Sequence, residues 1–248
     1  MPTYFTPKTF AFLKSLARHN ERAWFQAHKG EYEENLRQPY LRFVADLAAP
    51  LRKISAHYVA DPRPVGGSIF RIHRDTRFSK DKKPYKEWAG SQFFHEATRN
   101  ASPSGPGSTT QDLMTRGDAW RIDAPVFYLH LAPGDCFAGG GVWHPQPETL
   151  KKLRDSVVSN PASWKGVTRG PVFRRTFELG GERLSRPPRG YDPAHPLIDD
   201  LKRKDFVASR PFADAVACRP DFQRFLLGTF RQLAPMIDWL CGALDLEF

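Results

Sequence analysis

The chain has 248 residues, with 37 Lys and Arg against 27 Asp and Glu, a formal net charge of +10 and a sequence pI of about 9.7. Hydrophobic residues make up 40% and aromatic residues 13%, enough to fill an interior, which excludes a wholly disordered chain and fits a single domain over residues 1–248. No apolar run approaches the roughly 18 residues of a membrane span, and the opening MPTYFTPKTFAFLKSLARHNERAW breaks every apolar stretch before a signal core forms.

The expectation is therefore a soluble cytoplasmic protein with no membrane partner. Cys136, Cys218 and Cys241 are too scattered for a disulfide framework or a CxxC metal site, so buried thiols in a reducing compartment are expected, and no metal.

Along the chain, Thr6 reads as a helix N-cap with Pro7 at the first helical position, and Phe5 and Phe10 stand where a hydrophobic staple forms. Phe10, Leu13, Leu16 and Ala17 make the apolar stripe of that helix. Asn20 reads as the cap of a second short helix carrying Trp24 and Phe25. Beyond Gln38 and Pro39, a helical period runs through Tyr40, Phe43, Val44, Leu47, Leu51, Ile54 and Tyr58 with a kink expected at Pro50. The segment DPRPVGG then breaks the pattern.

Strands are predicted at 68–73, 91–95, 126–131, 136–138 and 172–179, and a mobile surface loop at about 100–118, rich in Ser, Gly and Pro. Helices resume at Pro147 and again from about Pro220, the last interrupted by Pro235. Helices, then clustered strands, then helices imply an α+β fold: a central antiparallel or mixed sheet flanked by N-terminal and C-terminal helices. No GxGxxG or Walker-type phosphate loop, no GxSxG elbow and no HExxH spacing is present.

The densest polar stretch is residues 71–86, where seven cations face two acids, so half of the net charge lies in sixteen residues. If 68–77 is one strand, Arg71, His73, Asp75 and Arg77 share a face and Phe70, Ile72 and Arg74 the other. A solvated sheet face explains that pattern; so does an anion site built from arginine forks with Asp75 orienting a partner. Lys80, Lys82 and Lys86 extend the positive charge, with Tyr85 as an anchor for the loop.

A second cluster holds Tyr128 and His130 on one face of a strand, a turn at Pro133-Gly134-Asp135, then Gly139, Gly140, Gly141 and Trp143. Successive glycines let a ligand or another backbone come close, and a bulge or strand crossing is the commoner cause. His130 and His144 are general acid/base candidates, although strand histidines are more often structural. Arg183 to Tyr191 reads as an extended rigid loop, and Lys204 and Arg210 as additions to the basic surface.

These blocks, FRIHRDTRFSKDK with PYK, YLHL, FAGGGVW and RPPRGY, resemble the conserved hypothetical proteins of the domain of unknown function 2461. Phe12-Leu13, Trp24-Phe25 and Arg210-Pro211 are similar to that family too. The resemblance spans nearly the whole chain in order and implies one family domain; it implies no activity, and cofactors stay unknown. The loop at 100–118 is longer than the family pattern.

Three readings follow. The first is an anion-binding module for a phosphate-bearing small molecule or nucleic acid, using Arg71, Arg74, Arg77, Lys80, Lys82, Tyr85 and Lys86 near Tyr128, the glycines, Trp143 and Arg210. The second is an enzyme on an anionic substrate, with His73 or His130 as acid/base and Asp75 as its orienting partner. The third is an internal ion-pair network with no ligand.

Overall fold

A computed structural model describes residues 2–76, 81–100 and 123–248, with only the backbone at 99 and 100. Arg77 and Lys80 lie outside the described residues, as does the predicted loop beyond residue 100.

Helix α1 (Pro7–Arg18) starts after Thr6 with Pro7 in its first turn, and the Thr6 N–H donates to Thr9 Oγ1 at 3.1 Å. Phe5, Phe10, Phe12, Leu13 and Leu16 are buried in one core. Helices α2 (Arg22–Ala27) and α3 (Lys29–Tyr32) lead through a π-helical turn (Glu33–Arg37) into α4 (Gln38–Arg52). The helical period predicted through Tyr58 stops short: α4 ends two residues after Pro50, Ile54 N–H donates to Leu51 O in a turn, and Tyr58 belongs to strand β1 (Tyr58–Val59). Pro50 supplies no N–H to the helical ladder, which favours termination there. Asn20 does not cap α2 either; its N-cap is Glu21.

Among the described residues, strands β2 (Ala89–His95), β3 (Val126–Leu131), β4 (Cys136–Val142), β5 (Glu178–Leu179) and β6 (Phe206–Phe212) join β1 in a six-stranded sheet of order β1-β2-β3-β4-β6-β5. Every pairing is antiparallel, so the fold is α+β with an antiparallel sheet. Three further helices are described in the central part: α5 (Ala97–Asn100), which follows β2 directly, α6 (Pro147–Ser159) and α7 (Pro161–Arg169).

Residues 172–179, predicted as a strand, are mostly α8 (Pro171–Thr176). Pro171 sits in its first turn, and Phe173 and Phe177, one helical turn apart, bring their rings to 5.4 Å; only Glu178 and Leu179 pair with β6. Helices α9 (Ile198–Leu201) and α10 (Asp214–Ala217) flank β6, and α11 (Phe222–Ala243) runs unbroken through Pro235.

One face of the sheet packs on α11. Phe93 and Phe127 meet Phe230 at 5.6 and 4.7 Å, and a Cβ at Gly140 would touch Leu233 and Ile237. The N-terminal helices join the same core where Phe43 stacks on Phe222 at 5.5 Å. Strand β3 alternates accordingly: Phe127, Leu129 and Leu131 are buried, while Tyr128 and His130 stand half-buried on the other face.

Strand β6 was hidden in the sequence because its inward face carries a charge. Arg210 pairs in register with the buried Ala138, donates from Nη1 to Thr229 Oγ1 at 3.1 Å and lies 4.5 Å over the Phe225 ring. A stacked, hydrogen-bonded guanidinium replaces the apolar residue that alternation would announce.

Candidate functional site

Residues 68–74 form no named strand, and the chain bends at Ser68 and Ile72. Two isolated bridges, Ile69 to Ser91 and His73 to Tyr85, tie this segment to β2 and to the run leading into it. Pro84 has no N–H to give and the chain bends at Glu87 and Trp88, so the ladder stays broken. Within 71–73 the predicted alternation appears, with Ile72 buried between exposed Arg71 and His73.

Asn20 fixes the returning arm. Its Nδ2 donates to Tyr85 O and its Oδ1 accepts from Tyr85 N–H, both at 3.0 Å, and the buried Tyr85 ring stacks on Phe25 at 4.2 Å. Asn20→Ala leaves two partly buried backbone groups unpaired and is expected to cost about 1–3 kcal/mol in urea unfolding.

The cations of this block divide by partner. Arg74 Nη1 meets Asp81 at 2.6 Å and Lys83 Nζ meets Glu87 at 2.8 Å, as an internal ion-pair network requires. Lys82 Nζ donates to Thr76 O at 2.9 Å. Lys86 differs: its Nζ donates to Arg71 O at 2.7 Å and lies 5.6 Å from the Phe70 centroid and 5.4 Å from that of Trp88. Among the described residues no carboxylate forms an ion pair with Lys86 or Arg71. Burial, and then the charges of Arg71 and Arg74, bring the Lys86 ammonium down to about 8.

The unfolded chain holds an ordinary lysine near 10.5, so it binds more protons than the folded one between the two values. Stability from this group is therefore lowest below pH 8 and recovers as pH rises toward 10.5. In urea melts the wild type is expected to gain on Lys86→Met across that window; a constant difference between the two refutes the assignment.

Beyond Trp88 lies His130, at 4.9 Å between ring centroids, and beyond His130 lies Phe137 at 4.7 Å. His130 is flanked in register by Gly90 and Phe137, and Tyr128 by Gln92 and Gly139. Burial lowers the His130 pKa, and the Tyr128 hydroxyl lies 3.0 Å from His130 Nδ1.

His73 belongs to a different group of rings, 6.1 Å from Phe25 and 5.2 Å from Tyr85. Burial, then Arg71, Lys86 and Arg22, lower its pKa. The structure thus gathers Lys86, Tyr128 and His130 with Phe70, Trp88 and Phe137, and places His73 with the N-terminal helices. Asp75 has a partner of its own.

Several predicted residues lie elsewhere. Arg210 is on the α11 face of the sheet. Gly139, Gly140 and Gly141 are buried inside β4, where a Cβ would fall 2.2, 2.3 and 2.0 Å from carbonyl oxygens of β6, Val126 and β6 respectively. Trp143 is 65% exposed and six residues along the chain from Phe137, roughly 20 Å at strand rise. Its ring lies tilted 4.1 Å from that of His144, whose backbone N–H donates to the buried Asp205 at 2.6 Å.

Sequence reasoning missed Trp88 and the ring contacts of Phe70 and Phe137. Their signal was present: Phe137 alternates with the inward-facing Ala138, but apolar residues on a sheet read first as core. A cavity of about 510 Å³ lined by Arg52, His57, His95, Glu96, Asp245 and Glu247 was also missed. There His57 Nδ1 meets Glu96 at 2.8 Å and His95 Nε2 bonds Glu247 O at 2.7 Å, which ties β2 to the segment after α11.

These features define an α+β protein whose antiparallel sheet has one face packed on a long C-terminal helix and, on the other, a basic and aromatic patch. The chain belongs to the family described as conserved hypothetical protein (DUF2461), whose model matches residues 8–239. No curated protein and no solved structure matches it. Among the described residues no helix is long and apolar enough to cross a membrane.

Proposed function

We propose that this protein binds a phosphate-bearing ligand at Lys86 and Arg71, beside Tyr128 and His130. The observation that carries the proposal is Lys86: an ammonium held against two rings and a carbonyl, with no carboxylate in ion-pair contact among the described residues. A partly desolvated cation with no counter-ion among the described residues is costly to keep, and an arriving anion supplies a partner. Arg71 is exposed next to it. Arg74 and Lys83, already paired, serve the loop rather than the ligand.

A cytoplasmic location accompanies this reading, supported by free Cys136, Cys218 and Cys241. The test is calorimetric titration with inorganic phosphate and pyrophosphate at low salt. Saturable binding is expected at pH 7, weakening as pH passes about 8 and lost in Lys86→Met; absence of binding to both anions at pH 7 overturns the proposal.

A further inference from the structure

We infer that the ligand is a nucleotidyl unit, a phosphate joined to a planar base, either free or within a single strand; this rests on the anion-binding reading and names the rest of the ligand. The carrying observation is the ring surface beside Lys86. Trp88, His130 and Phe137 succeed one another at 4.9 and 4.7 Å, the second pair within 14° of parallel. Phe70 and Tyr128 close the circuit, Phe70 at 6.0 Å from Trp88 and 6.1 Å from Tyr128, and Tyr128 at 5.6 Å from Phe137. All five residues are half-buried, so the group keeps some contact with water although the same sheet has a closed core on its other face.

The backbone beneath is kept low for them. A Cβ at Gly90 would stand 2.9 Å from both the Trp88 ring and the Tyr128 hydroxyl, so a side chain there would push the rings off the sheet. The patch also has a polar edge. The Tyr128 hydroxyl and His130 Nδ1 lie 3.0 Å apart, so one donates to the other and the pair brings polar atoms among the rings.

An ammonium at one end and unsaturated ring surface at the other match a ligand that is anionic at one end and flat at the other. Bare phosphate uses none of the rings, and a sugar phosphate has no planar part to stack. Bases stack on aromatic side chains whatever their identity, and Lys86 supplies the complementary charge.

The experiment compares AMP, ribose 5-phosphate, inorganic phosphate and a deoxyadenylate dodecamer, titrated at one ionic strength. AMP is expected to bind about tenfold or more tightly than ribose 5-phosphate, and Trp88→Leu to shrink that margin. Equal affinity for AMP and ribose 5-phosphate overturns the base-binding inference while the anion site stands. Failure of all four to bind, inorganic phosphate included, overturns the anion reading as well. This comparison needs no variant, so it decides even if Trp88→Leu does not fold. Tighter binding of the dodecamer with a steeper salt dependence identifies a strand as the source; equal affinities per site identify the free nucleotide.

Discussion

Gly141→Ala is expected to lose about 3 kcal/mol or more in urea unfolding, combining backbone strain with overpacking. Gly141 has φ +128°, and a Cβ there would sit 2.0 Å from Phe206 O and 2.8 Å from Val207 Cα. Both obstacles are backbone of β6, paired with β4 along its length, so relief requires the two strands to part. Gly134 is the matched control. It also has positive φ, +78°, but nothing lies within 4 Å of its added Cβ, so Gly134→Ala bears the conformational cost alone, about 1–2 kcal/mol. Equal losses for the two variants would show that packing between β4 and β6 is not what requires glycine. The expected inequality assigns the glycine at 141 to the close approach of β4 and β6.

Much of the architecture was legible because it follows from periodicity. The 126–131 strand and the turn at Pro133-Gly134-Asp135 could be read from alternation and turn chemistry, and β3 and β4 pair as a hairpin. The first helix could be read from Thr6 and Pro7. What failed did so for local reasons. In 172–179, β-favouring Val and Phe masked an i, i+4 pair after a helix-starting Pro. In 206–212, an inward arginine satisfied by Thr229 and Phe225 erased the alternation. In the sequence Asn20 looks like a cap because caps are local; its partners in the fold, Tyr85 and Glu87, are 65 and 67 residues away, beyond any local pattern.

The candidate site was half legible. The charge of residues 71–86 is visible in the sequence, but which cations are already paired is not. Arg74 and Lys83 look like Lys86 in one dimension; only the fold gives the first two carboxylates and the third two rings. The rings come from three separate segments, 70–88, 128–130 and 137, and only the sheet register brings His130 between Gly90 and Phe137.

Asp205→Ala is expected to cost about 3 kcal/mol, because it leaves two N–H groups at one end of the sheet without their acceptor. Asp205 is wholly buried as a side chain; Oδ1 accepts from His144 N–H at 2.6 Å and Oδ2 from Glu182 N–H at 2.7 Å. One carboxylate thus joins the segment leaving β4 to the segment following β5, just before β6 begins. Asn at this position keeps one carbonyl oxygen and turns an NH2 toward the other donor, so Asp205→Asn is expected to lose about half as much. Hydrogen exchange separates the two: both the His144 and Glu182 amides lose protection in Asp205→Ala, and one keeps it in Asp205→Asn. His144 itself sits at φ +48°, a conformation that costs a non-glycine residue about 1 kcal/mol. Its Nδ1 lies 3.3 Å from Asp205 Oδ1. His144→Gly relieves the backbone cost and keeps the N–H bond, so it is expected to change stability far less than Asp205→Ala. A loss in His144→Gly as large as that in Asp205→Ala would move the weight of this junction from the two backbone N–H bonds to the imidazole.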